Sequence, residues 1–338
     1  MRLRALFVVI FMLLLVNFIV SAQEESPTPA PSKTPEAETT EIVAEATEDA
    51  NATAFDSTEL ARAFTQEDLN VLVGNVQRPN GLVWFDDKLY TACTGDWTLY
   101  EIDAVTGATR SLVIGIRNAH ALYPEVTDAG YNLWIPDFEL NQFMRVDQRL
   151  GAPRTIESDN LNGPWGIAAI TDELFLISNV RENNIILADR EGNSRPVMTG
   201  LRSPAGLAND GDFVYVANNG SARRAIEWFS VQDLPAEDND DPVEGVTQPL
   251  VQGLQNVSSV VMGQDGYLYF SYALGTRGVV GRVAPEECRD GGCTNDQVEI
   301  VIFSDLQAPL AGLTISDDMR IFMHTIFEPQ IYWVSLYE

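Results

Sequence analysis

The sequence predicts an all-β fold, a six-bladed β-propeller with four-stranded blades. Three observations carry that reading. First, one phrase recurs six times: an aliphatic start, a Pro/Gly corner, a short apolar run, a turn on Asp, Asn or Gly, and a second strand. The copies begin at Val76, Ile116, Leu161, Leu201, Leu254 and Leu306, spaced by 40, 45, 40, 53 and 52 residues. A period near 40 with several short strands per repeat is the signature of propeller blades. Second, the repeats resolve into four strand-like segments, as in GIAAIT, ELFLISN, NIILADR and RPVMTG of the third copy. Third, the sixth copy ends after three strands, while LNVLVGNV (69–76) precedes the first copy with the pattern of an outermost strand. That segment is predicted to complete the last blade and close the ring, which removes open sheet edges.

The elements follow in chain order. Residues 1–22 carry Arg2 and Arg4, an apolar run from Ala5 to Val20 and the small residues Ser21 and Ala22. This is the pattern of a secretory signal peptide, and the run is short for a membrane span. An exported protein is expected, with an uncleaved, outward-facing membrane anchor as the alternative. Residues 23–56 are rich in Pro, Thr and Glu and nearly free of aromatics, so they are expected to be a disordered acidic spacer. The propeller is placed at 57–338, with a short helical turn possible before residue 70. Its blades lie near 76–115, 116–160, 161–200, 201–253, 254–305 and 306–338 plus 69–76. Asp and Asn mark the turns between first and second strands, for example at Asp86-Asp87, Asn209-Asp210 and Asp317-Asp318.

The formal net charge is −28. The stretch 23–69 holds −10 of it and the signal +2, leaving −20 for the rest. Nucleic acid is not expected as a partner, because phosphate contacts need a basic face, and anionic membrane surfaces are disfavoured for the same reason. Cys288 and Cys293 bracket a tight CRDGGC loop and are expected to form a disulfide, whereas Cys93 is expected to be a buried small residue. No GxSxG elbow and no phosphate-binding GxxxxGK[ST] loop occurs.

Propeller geometry narrows the candidate site. Loops leading into the innermost strands and loops between second and third strands emerge on one face, around the central channel. The first set places Asn80, His120, Trp165, Ala205, Ser258 and Ala311 at the channel. The second places Cys93, Asp137, Asn179, Asn218, Tyr272 and Thr325 at strand ends, with Trp97, Phe138, Glu139, Arg181, Asn219 and Phe327 just beyond. His324 stands in a column of otherwise small residues, where a packed histidine bonded between blades is the simpler expectation. The candidate ligand-binding set is therefore Asn80, Trp97, His120, Asp137, Trp165, Asn179, Asn218, Asn219, Tyr272 and His324. Aromatic faces with amides suit a small polar ligand, a glycan or a peptide of a protein partner. The acidic loop 235–245 lacks the register of a Ca²⁺ loop and is expected to be solvated. The protein is expected to be a monomer.

Two stretches, PWGIAAITDELFLISNVRENNIILADREG (164–192) and SPAGLANDGDFVYVANNGSARRAIEWFS (203–230), resemble the NHL-repeat and SMP-30 (gluconolactonase-like) six-bladed propellers. The resemblance covers roughly residues 70–338 and implies the fold more firmly than any activity. SMP-30-like lactonases hold a divalent ion at the channel mouth with Glu, Asn and Asp. The matching positions here would be Asn80, Asp137, Asn179 and Asn218, a set with one carboxylate that could take Ca²⁺ or another divalent cation only weakly. Asn80 stands where the family pattern has Glu, and Ala205-Gly206-Leu207 where it has Asn-Gly-Leu. A lyase of the virginiamycin B type would need metal and histidine near the axis, and the chain offers only His120 and His324. The leading expectation is an exported, non-enzymatic binding or scaffold protein. The alternative is a metal-dependent lactonase or hydrolase with a degenerate metal site, and no catalytic residue is assigned.

Overall fold

A computed structural model describes residues 60–337 apart from 148–152, 157, 159, 237, 238 and 240. The expected signal peptide and acidic spacer lie outside the described residues. The described chain forms six sheets in a ring, each with at least four strands.

Blade 1 is Pro79–Phe85, Lys88–Cys93, Thr98–Asp103 and Thr109–Ile114, paired in sequence order as an antiparallel meander. Blades 2 to 5 repeat this order from inner strands at Tyr123–Thr127, Pro164–Ala169, Pro204–Asn209 and Gln255–Met262. Blade 6 runs Leu310–Ile315, Arg320–Thr325 and Ile331–Ser335, and its outermost strand is Asn70–Val73 from the other end of the propeller. The register pairs Asn70 with Trp333 and Val73 with Ile331. The ring is therefore closed by the strand expected from the sequence.

Six hydrophobic clusters hold the ring, and each lies between two neighbouring blades. Leu89 and Ile102 of blade 1 pack with Phe322 and Ile331 of blade 6, whereas Tyr90 and Leu99 pack with Leu133 and Ile135 of blade 2. Successive strand residues point to opposite faces, and both faces of every blade are covered. The second strands are thus apolar at nearly every position, as in KLYTAC and FVYVAN. At the axis the inner strands crowd. A Cβ built on Gly166 would fall 2.4 Å from the Ala205 carbonyl oxygen, and one on Gly206 would fall 2.9 Å from the Ser259 Cα. Only glycine permits that approach.

Three outer edges carry an extra short strand that the repeat pattern does not announce. Val243–Glu244, from the long blade-4 insertion, pairs parallel with the edge of blade 3. Cys293–Thr294, from the blade-5 insertion, pairs with the edge of blade 4. Phe64–Thr65 pairs with the edge of blade 5. The enlarged loops on blades 4 and 5 thus cap the sheet edges behind them. The Cys288–Cys293 disulfide ties the blade-4 cap to the short helix Pro285–Arg289. A buried polar knot anchors the C-terminus: the Arg282 guanidinium donates to Asp265 at 3.3 Å, Glu299 at 2.7 Å and the Tyr337 hydroxyl at 3.1 Å.

Removing the disulfide frees a loop of only a few residues, worth about 2 kcal/mol of unfolded-state entropy. Cys288→Ser with Cys293→Ser should lower the melting temperature by about 5 °C, measured by circular dichroism. An unchanged melt would show that the cap does not depend on the bridge.

Candidate functional site at the channel mouth

The face where inner strands begin and second strands end surrounds the axial channel. The channel holds a cavity of about 160 Å³, with His120 and Trp165 on one side and Gly206, Ser258, Ser259 and Thr314 on the other. His120 lies flat on Trp165, ring centroids 3.4 Å apart and planes within 5°. Phe138 meets both rings edge-on, at 5.3 Å and 5.7 Å. This aromatic triad joins blades 2 and 3. The Nδ1 atom of His120 is buried and has no hydrogen-bond partner. Burial pushes the His120 pKa down to about 3, so the imidazole is neutral through the physiological range.

The neighbouring position on blade 1 is Asn80, almost completely buried. Its Nδ2 donates to Asn118 Oδ1 at 2.5 Å, and its Oδ1 has no partner. Two unpartnered polar atoms thus stand on adjacent lead-in strands.

The second-strand residues act differently. Asp137 is fully buried, and its carboxylate accepts four backbone N–H bonds: Arg117 at 2.7 Å, Asn118 at 3.2 Å, and Glu139 and Leu140 at 3.0 Å each. Asn179 accepts from the Asn162 N–H and donates to the Asn160 carbonyl. Asn218 accepts from the Arg202 N–H and donates to Glu227, a carboxylate whose pKa burial raises and Arg224 opposes. Thr325 donates to the Gln307 carbonyl at 2.9 Å. Each side chain pins the loop leading into its own blade. The recurring Asp or Asn is a turn clamp, the local role these short side chains favour.

The metal set suggested by the resemblance does not fit this geometry. Asp137 meets Asn80 only through Asn118, and Asn179 and Asn218 bind loops on blades 3 and 4. The one carboxylate has its acceptor positions filled by backbone. Among the described residues no group of three or more His, Cys, Asp or Glu is placed to hold a metal.

The other candidates fall in three places. Trp97 is 46% exposed at the rim, in a left-handed conformation (φ +59°), with the Arg117 guanidinium 4.6 Å above its ring. Asn219 reaches the Val257 carbonyl at 3.5 Å and spans blades 4 and 5. Tyr272 belongs to the core. Ser271 donates to the Leu310 carbonyl as Ser178 does to that of Ala205, so Tyr272 follows it in the clamp column, where its ring cannot bond the lead-in loop as Asn179 does. Tyr272 instead packs near Phe270 and over Gly281, and burial raises its pKa. His324 is fully buried, and its Nε2–H donates to the Asn80 carbonyl at 2.6 Å, a bond from blade 6 to blade 1. Ser178 makes the matching bond from blade 3 to the Ala205 carbonyl of blade 4. Cys93 is free and buried, and burial pushes its thiol up to about 12.

The candidate ligand set left out the arginines, although Arg181 was placed just beyond a strand end. Besides Arg117 on Trp97, Arg181 lies 4.4 Å above Phe138. The available signal was their position, since both sit beside aromatics in mouth loops.

No protein-family model matches the chain, and none of the curated proteins matches it. Solved structures do. A gluconolactonase from Xanthomonas campestris superposes with a TM-score of 0.59 at 14% identity, covering 78% of this chain and 88% of its own. A streptogramin B lyase gives 0.53 at 13%, covering 78% and 96%. A virginiamycin B lyase from Staphylococcus aureus gives 0.50 at 14%, covering 75% and 80%. The likeness is one of fold. At such identities a propeller shared with a lactonase and two lyases does not transfer chemistry.

Two outcomes test these roles. Asp137→Ala should lose about 3 kcal/mol or more of stability, because buried N–H groups lose their acceptor, while the metal content measured by elemental analysis stays as in the parent. Release of a stoichiometric metal would restore the ligand role. His324, with a folded pKa near 4 against 6.5 in the unfolded chain, refuses a proton that the unfolded chain accepts. Its contribution is intact above pH 6.5 and is lost as pH falls toward 4, by about 2 to 3 kcal/mol at pH 4.5. His324→Gln should therefore flatten stability against pH between 7 and 4.5 in denaturant titrations.

Proposed function

We propose that the protein is an exported binding module whose ligand sits over the channel mouth on blades 1 to 3. The observation that carries this reading is the His120–Trp165–Phe138 triad bordering the channel cavity, with a neutral imidazole whose Nδ1 lacks a partner. A ring stack beside unsatisfied polar atoms suits a ligand with a flat or ring-shaped face and a few hydroxyl or amide groups. The carboxylates that a lactonase would use as base or metal ligand are engaged in holding loops. The signal-like N-terminus and the disulfide support export. No described helix is long and apolar enough to cross a membrane.

Calorimetric titration with a panel of neutral and acidic oligosaccharides should give saturable binding to at least one member. Trp165→Ala should weaken that binding at least tenfold while circular dichroism still shows a folded propeller. Binding that survives Trp165→Ala would move the site elsewhere. Turnover of a simple δ-lactone above the buffer rate would overturn a binding-only role.

A further inference from the structure

Acidic residues outnumber basic ones 49 to 21, so a guanidinium without a carboxylate partner is unexpected. On the face away from the mouth, Lys88, Arg110, Arg190, Arg282, Arg289 and Arg320 each meet a carboxylate. On that face Arg195 is held by the carbonyls of Pro235, Ala236 and Asn239 instead. In the mouth loops Arg224 pairs with Glu227 and Arg277 with Asp305, and four others do not pair. Arg78, Arg181, Arg202 and Arg223 are exposed and, among the described residues, form no ion pair. Arg181 bonds to the Asn141 amide at 3.2 Å, and Arg202 to the carbonyls of Gly200 and Leu201. Arg117 reaches only Glu139, at 3.5 Å.

The carboxylates on the same loops already have partners. Tyr100 donates to Asp96, Asn162 to Glu182 and Tyr332 to Glu328, while Arg277 pairs with Asp305. Those carboxylates keep their charge, but none of them meets the guanidinium groups of Arg78, Arg181, Arg202 or Arg223. Two of these arginines lie on the aromatic rings of the site: Arg117 over Trp97, and Arg181 over Phe138, which touches both His120 and Trp165.

Resting on the binding role proposed above, we propose that the mouth takes a carboxylate-bearing saccharide. Its acid groups meet the Arg117 and Arg181 guanidinium groups, and its ring faces meet the aromatic triad. A planar guanidinium matches a carboxylate in bidentate fashion. The acidic far face does not oppose this. An inner strand of six or seven residues spans roughly 20 Å, more than twice the ~8 Å screening length at physiological salt. An acidic peptide is the weaker fit, because extended peptides are commonly held by free sheet edges. Three outer edges here are capped, and the mouth presents side chains.

The test compares trigalacturonate with its methyl ester, which keeps the rings and removes the charge, by calorimetry on the purified protein. The acid should bind at least tenfold more tightly than the ester at 150 mM NaCl, and its affinity should fall several-fold at 500 mM. Arg117→Ala with Arg181→Ala should abolish that preference, whereas Arg110→Ala on the far face should keep it. Melting temperatures within 2 °C of the parent confirm that the variants are folded, and Arg202→Ala gives a second probe of the rim. Equal, Trp165-dependent binding of acid and ester would overturn the charge preference and leave the binding role standing. Absence of binding by both would overturn this proposal, and the oligosaccharide panel then decides the binding role separately. Tighter binding of a single-stranded oligonucleotide or a glutamate-rich peptide than of the saccharide would also overturn the proposal.

Discussion

Crowding at the axis is the constraint on which the rest of this propeller depends. Six sheets converge until the inner strands of neighbouring blades leave no room for a Cβ, as at Gly166 and Gly206. That approach sets the channel width and puts both faces of each blade against a neighbour. It also limits what side chains the channel can accept. Where the lead-in position carries a small residue, as at Ala205 and Ala311, backbone meets backbone. Where it carries His120 and Trp165, the rings cannot enter the packed wall. They stack on each other at the channel, and the triad with Phe138 follows.

A ring packed this way has no natural end, so the chain must supply one. Asn70–Val73 joins blade 6, Phe64–Thr65 caps blade 5, and the Arg282 knot ties Tyr337 to Asp265. His324 adds a buried bond across the same closure, from blade 6 to the carbonyl of Asn80. Asn80 is thereby held from both sides, its carbonyl by His324 and its amide by Asn118. The closure and the site share a residue, so the stability of the seam and the geometry of the mouth are coupled there.

The blades were legible in the sequence because a two-residue turn and an apolar strand leave a periodic trace. The closing strand was legible because blade 6 lacked a partner. The added edge strands were not. Each is two residues long; two depend on an insertion from the next blade and the third on the segment before the closing strand, rather than on any local pattern. Within the site, Trp165 and His120 were legible as large residues in a column of small ones. Asp137, Asn179 and Asn218 misled for a physical reason: polar side chains at strand ends near a channel look like ligands. Their recurrence from blade to blade was the sign of a structural role, since every blade needs its lead-in loop clamped. Tyr272 stands in the expected column, but its ring turns into the core between blades 4 and 5, where an amide would clamp the lead-in loop.

Recurrence also separates scaffold from site elsewhere on the mouth. The clamps appear in four blades and the inter-blade bonds in several, so they follow the pseudo-sixfold symmetry of the ring. The aromatic triad, the open guanidinium groups and the unpartnered atoms of Asn80 and His120 do not. One half of the channel wall is aromatic, and the other is built of Gly206, Ser258, Ser259 and Thr314. The hydroxyls of Ser258 and Thr314 are already bonded, to the Leu310 carbonyl and the Trp84 N–H. The channel wall is therefore aromatic on blades 2 and 3 and made of bonded hydroxyls and glycine opposite. That imbalance breaks the rotational equivalence of a ring of near-identical blades.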